Sequence, residues 1–167
     1  MPLVKNKKNT KTMNKEALMR YAIELANKNV ENGGGPFGAV IARKGEVVAT
    51  GVNRVTANND PTAHAEVSAI RAAATQLQTF DLSGCEIYTS CEPCPMCLGA
   101  IYWAHLDKIY YANNKTDAAN IGFDDSFIYD EIDLSPKDRK LPSEVLLHEE
   151  AIKTFEAWAN KTDKIEY

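Results

Sequence analysis

No apolar run in the sequence approaches the roughly 20 residues that a membrane-spanning helix needs, so no membrane is expected among its partners. The first residues lack an apolar core bounded by a cleavage site, and no secretory signal is expected either. Cysteine is scarce. Four in 167 residues, without the composition of a disulfide scaffold, fit a reducing cytoplasm. Repeats are absent, as is low-complexity sequence beyond the N-terminal tail. Positive charge is missing where nucleic-acid binding would need it. Lys5, Lys7, Lys8, Lys11 and Lys15 all fall in the first 15 residues, and the rest of the chain keeps 14 basic against 23 acidic residues. A body carrying about −9 by formal count repels phosphate backbones, so no nucleic-acid partner is expected.

What remains is an ordinary globular composition, 44% hydrophobic and 25% charged. The length suits a single domain that buries about two-thirds of its unfolded surface. Residues 1–14, rich in Lys, Asn and Thr, are expected to form a flexible basic tail. Residues 15–167 are expected to form the domain.

The chemistry concentrates in Tyr88-Thr-Ser-Cys91-Glu-Pro-Cys94-Pro-Met-Cys97. Pro95 fixes its own φ and lacks an N–H, which suits the first position of a helix. Cys94 is thereby pushed out of the α region and becomes a cap residue. Cys97, three residues on, lies near it on the same side. Upstream, Pro61-Thr-Ala63 reads as a helix start, which places His64 and Glu66 in a first turn. Helix N-termini favour thiolates and carboxylates. One His and two Cys would leave the fourth tetrahedral position of Zn²⁺ open to water, as in catalytic zinc sites. Glu66 then reads as the proton carrier. Two alternatives stand beside this one. A Cys94/Cys97 redox pair leaves His64-Ala-Glu66 unexplained, and Cys91 could replace Cys94 as a ligand. Cys85 and Cys91 otherwise read as small buried hydrophobes with free thiols.

Along the chain, Asn14 caps a helix whose Ala17, Leu18, Tyr21, Ala22, Leu25 and Ala26 form one apolar stripe. Strand-like runs follow at 37–43 and 46–53, joined by Lys44-Gly45, a hairpin signal. After a polar loop at 54–61 come a helix from His64 to about Leu77, a strand at 86–89, the Cys94 helix to about Ala104, and a strand at 108–112. Short helical pieces are expected at 116–121 and 127–131, a last strand at 144–147, and a last helix at 149–160. This order predicts a three-layer α/β/α sandwich with a mixed central sheet. Tyr102, Trp103 and Trp158 read as core or interface aromatics, and His105 and His148 as structural or surface residues. Phe37, after Gly-Pro at a strand start, could wall a flat pocket or sit in the core. Asn53 could read a purine edge or simply turn the chain. Asp124 and Asp125 precede Ser126 as a helix cap would.

His64-x-Glu66 followed by Pro93-Cys94-x-x-Cys97 is the zinc nucleobase deaminase signature. On these residues, on Gly35-Pro-Phe37-Gly-Ala-Val-Ile41, on Asn59-Asp-Pro-Thr-Ala-His64-Ala-Glu66-Val, and on Gly122-Phe-Asp124-Asp125-Ser-Phe-Ile-Tyr129, the chain resembles the cytidine-deaminase-like superfamily. Within it the resemblance is greatest to the bacterial guanine deaminases. It implies that fold, one Zn²⁺ per chain, and hydrolytic deamination of free guanine to xanthine and ammonia in purine catabolism or salvage. It further implies that Asp125 matches the carboxylate recognising guanine, with Asn53 and Phe37 also at the base. A homodimer is implied too, in which residues 142–167 are swapped and Tyr167 helps close the partner's site. The sequence itself shows only a Pro-punctuated connection, Ser135-Pro136 to Leu141-Pro142. Other readings are a deaminase of cytosine, adenine or tRNA adenosine, and a zinc module without catalysis. The last would expect Glu66 to be replaced or a fourth protein ligand to be present.

Overall fold

The computed structural model of the protein describes residues 11–167. Most of the expected tail lies outside them. At its end, Met13 N–H donates to Gly45 O at 2.8 Å and Asn14 caps the first helix. The chain divides into two compact units at Asp125/Ser126.

In the first unit, helix α1 (Lys15–Glu31) begins where Asn14 Oδ1 accepts from Ala17 N–H at 2.8 Å. Strands β1 (Gly38–Arg43) and β2 (Glu46–Val52) form a hairpin. Lys44 and Gly45 both take positive φ, as a two-residue turn matching strand twist requires. A four-residue helix, α2 (Val55–Asn58), occupies part of what the sequence suggests is loop. Then come α3 (Ala65–Leu77), β3 (Glu86–Cys91), α4 (Pro95–Trp103), β4 (Lys108–Asn113) and α5 (Lys115–Asn120). The sheet runs β2-β1-β3-β4, antiparallel except for the parallel β3/β4 pair.

Alternation along the strands sorts residues onto two faces. Val40, Ala42 and Tyr88 pack with Leu18 and Ala22 of α1. Ala39, Ile41 and Ile87 pack with Ala65, Ala69 and Ala73 of α3 and Ile101 of α4. The three expected layers are therefore present, with a mixed sheet in the middle. The Ala65, Ala69, Ala73 stripe repeats every four residues and lets α3 approach closely. Gly51 completes the fit: a Cβ there would fall 2.2 Å from Ala65 O and 2.4 Å from Ala69 N. This contact seats the first turn of α3 on β2.

The second unit holds α6 (Ser126–Asp133), a 3₁₀ turn (Pro136–Asp138) and α7 (His148–Asn160). The strand predicted at 144–147 does not form. Those residues have no ladder partner, and Leu147 turns into the left-handed region immediately before α7. A four-residue strand holds only when another edge receives its hydrogen bonds. None of this unit's residues is buried.

Candidate active site

Two helix starts supply the donors. His64 is the N-cap of α3 rather than a first-turn residue, with φ −70 and ψ 159. Cys94 is the N-cap of α4 with φ −66 and ψ 168, and Pro95 follows at the first helical position. Its sulfur accepts from Cys97 N–H at 3.5 Å, doing the work of a capping oxygen. His64 Nδ1 lies 3.4 Å from Cys94 Sγ and 3.5 Å from Cys97 Sγ. All three donor atoms fall within 4.8 Å of one another. Typical zinc bond lengths, about 2.3 Å to sulfur and about 2.0–2.1 Å to nitrogen, give a tetrahedral N···S edge of about 3.5 Å. The donor spacing matches a zinc ion.

Proton distribution in the cluster points the same way. A hydrogen bond from Cys97 draws Cys94 down to about 4, and the same bond raises Cys97 above the ordinary thiol range. The hydrogen bond to Cys94 raises His64. A Cys94 thiolate is thus flanked by a protonated Cys97 and an imidazole that favours its proton, at a corner where a divalent cation would replace those protons.

Glu66 sits in the first turn of α3 and is only 6% exposed. Its Oε2 accepts from Cys97 Sγ at 3.3 Å and its Oε1 accepts from the Thr89 hydroxyl at 3.1 Å. Burial raises its carboxyl above the usual range, the condition for a group that must take and return a proton near neutral pH. The structure brings His64, Glu66, Cys94 and Cys97 to one corner at the end of the sheet. Cys91 ends β3, buried, with its thiol toward Asn114 O at 3.7 Å, and burial pushes it up to about 11. Cys85 is buried in the core with its thiol free.

The outer residues are arranged differently. Asn53 N–H donates to Phe37 O at 3.2 Å, which ties these two together. Asn53 Oδ1 accepts from Val55 N–H at 3.3 Å, and its carbonyl accepts from the buried Asn29 amide at 2.8 Å. The same Asn29 amide donates to Gly35 O at 2.8 Å, so one side chain fastens the Gly-Gly-Gly-Pro turn to the end of β2. Phe37 packs on the α3-side core and meets Phe123 edge-on, centroids 5.0 Å apart. The core reading of Phe37 therefore holds in part. Asp125 is half-buried, and burial followed by the nearby Cys94 charge raises its carboxyl. Tyr167 lies in the second unit, exposed. Tyr102 and Trp103 are not core residues of this chain, at 74% and 67% exposure, because α4 buries Cys97 and Ile101 instead. Thr89, Asn29 and Phe123 escaped the sequence reading. Strand alternation could have aimed Thr89 toward α3, but its partner is 23 residues away.

A His-Cys-Cys corner with a buried carboxylate beside it, on an α/β/α frame, defines a zinc-dependent deaminase. The chain belongs to the cytidine and deoxycytidylate deaminases, whose zinc-binding region matches residues 12–113. It is similar to the guanine deaminase of Bacillus subtilis (strain 168), 53% identical over 93% of this chain and 100% of that protein. The X-ray structure of a Bacillus subtilis guanine deaminase superposes with a TM-score of 0.90, at 52% identity over 93% of this chain and 99% of the other. A guanine deaminase from Nitrosomonas europaea matches with a TM-score of 0.66, at 38% identity over 68% of this chain and 66% of the other. The tRNA-specific adenosine deaminase of Aquifex aeolicus (strain VF5) is 39% identical over 60% of this chain and 66% of its own length.

Proposed function

We propose that the protein hydrolyses the exocyclic amine of free guanine, giving xanthine and ammonia. The observation that carries the reading is 53% identity to a guanine deaminase along that relative's full length. The tRNA adenosine reading is weaker: similarity to that relative covers 60% of this chain, and a body of about −9 repels phosphate.

His64, Cys94 and Cys97 hold one zinc ion, which when bound lowers the pKa of a coordinated water from about 15.7 toward ~7. Glu66 Oε2 accepts the proton of the attacking water. As the oxygen bonds to C2, Glu66 returns that proton to the ring nitrogen; it then carries the remaining proton of the C2 hydroxyl to the amine, so that the C2–N bond breaks, ammonia leaves and the C2 carbonyl of xanthine forms. Phe37, with Phe123 edge-on behind it, walls the flat base. Asn53 donates and accepts along the purine edge, and the Asp125 carboxylate accepts N–H donors that guanine presents and adenine and cytosine do not present in that pattern.

The assembly is a cytoplasmic homodimer in which residues 142–167 pass to the partner and Tyr167 closes the partner's site. Supporting this are the Pro-punctuated connection, the unpaired 144–147 segment and a second unit with none of its own residues buried.

The deciding experiment is ammonia release by zinc-loaded protein offered guanine, adenine, cytosine, guanosine and cytidine in parallel. Guanine preference supports the reading. Preference for another base keeps the zinc chemistry and discards the Asp125 assignment.

A further inference from the structure

Thr89 lies outside the metal motif, in the middle of β3. It shares the strand face of Ile87, toward α3, and is 1% exposed. Its hydroxyl donates to Glu66 Oε1 at 3.1 Å, while Glu66 Oε2 meets Cys97 Sγ at 3.3 Å. The two carboxylate oxygens therefore face different groups, one a strand hydroxyl and the other the metal corner. A glutamate's terminal torsion is broad and two-fold, so the side chain alone does not decide which oxygen faces which way or at what tilt. The Thr89 donor on Oε1, beside the Cys97 thiol on Oε2, narrows that freedom. Thr89 is suited to the task because β-branching restricts its own χ1 and the strand holds its backbone in register with Ala39 and Tyr111.

We propose that Thr89 is a positioning residue for deamination: its hydroxyl anchors Glu66 Oε1 so that Oε2 stays aimed at the metal corner as the proton-carrying oxygen. The inference rests on Glu66 as proton carrier. It divides the labour of one carboxylate between its two oxygens, one held and one working. Thr89 is 1% and Glu66 6% exposed, so bulk solvent competes little for this bond.

Valine reproduces the shape of threonine without the donor, and serine keeps the donor without the methyl. Both variants would be made in the full-length, zinc-loaded protein. kcat and KM with guanine would be measured, and the T89V structure determined. The expected result is a kcat loss of about 10- to 100-fold in T89V with KM little changed, near-normal turnover in T89S, and a Glu66 carboxylate turned away from Cys97 in the T89V structure. Normal kcat in T89V, an equal loss in T89S, or an unmoved carboxylate would each overturn the proposal. If T89V does not fold, T89A compared with T89S makes the same decision. If the wild-type protein leaves guanine untouched, the functional reading falls separately, and the orientation of Glu66 in the variant structure still decides the role of Thr89.

Discussion

The two units of this chain use their apolar residues in opposite ways. Up to Asp125, alternating strands and an alanine stripe bury two clusters on the two faces of one sheet, and the metal corner sits at that sheet's end. From Ser126 onward, Phe127, Ile132, Leu141, Leu146, Phe155 and Trp158 are all exposed, and none of the unit's residues is buried. A segment of this size with so much uncovered apolar surface lacks the core that independent stability needs. The difference teaches that the first unit buries its own core beside the metal corner, whereas the second leaves its apolar residues uncovered.

The comparison can be broken most sharply at Glu66. Glu66→Gln should retain one zinc per chain by metal analysis and lose about 10²- to 10⁴-fold in ammonia release. A variant that keeps zinc and works at near wild-type rate would remove Glu66 from the chemistry. Asp125→Ala comes next, with an expected loss of about 10²-fold in kcat/KM for guanine and a smaller loss for bases lacking the same N–H pattern. An equal loss for all bases would make Asp125 a structural carboxylate.

The second unit is tested by assembly. Sedimentation should give a dimer, and removal of residues 142–167 should leave a protein with intact zinc, lower solubility and about tenfold or greater loss of activity. A fully active monomer would rule the exchange out. The smallest effect concerns the metal-free protein. Burial raises Glu66 above its unfolded value, so the native state binds more protons than the unfolded state between those two values. Stability should therefore fall as pH rises through that window, and Glu66→Gln should flatten the fall. Thermal melts of metal-free wild type and variant from about pH 4 to 8 read this directly; parallel curves would count against it.

Legibility in the sequence followed the range of the interactions. Pro95 and the three-residue spacing of Cys94 and Cys97 act within one helical turn, and the α4 cap was readable from them alone. The hairpin at Lys44-Gly45 was equally local. His64 as the N-cap of α3, rather than a first-turn residue, depends on one residue's backbone angles, beyond the resolution of a pattern. Thr89 against Glu66 and Asn29 against Asn53 are pairings across more than 20 residues, set by sheet order and helix seating. The strand expected at 144–147 failed for a related reason. Its β-forming residues are real, but a strand is completed by an edge that must come from elsewhere.

The two caps, His64 and Cys94, lie 30 residues apart, and the last donor, Cys97, lies 33 residues from His64. A metal bound there acts as a staple as well as a cofactor. Closing a loop of that length removes freedom from the unfolded chain worth roughly 3–4 kcal/mol on the simplest cross-link account, much of a small domain's margin against unfolding. Zinc supply would then govern how much of this protein survives proteolysis, and a cell short of zinc would lose the polypeptide itself along with its activity.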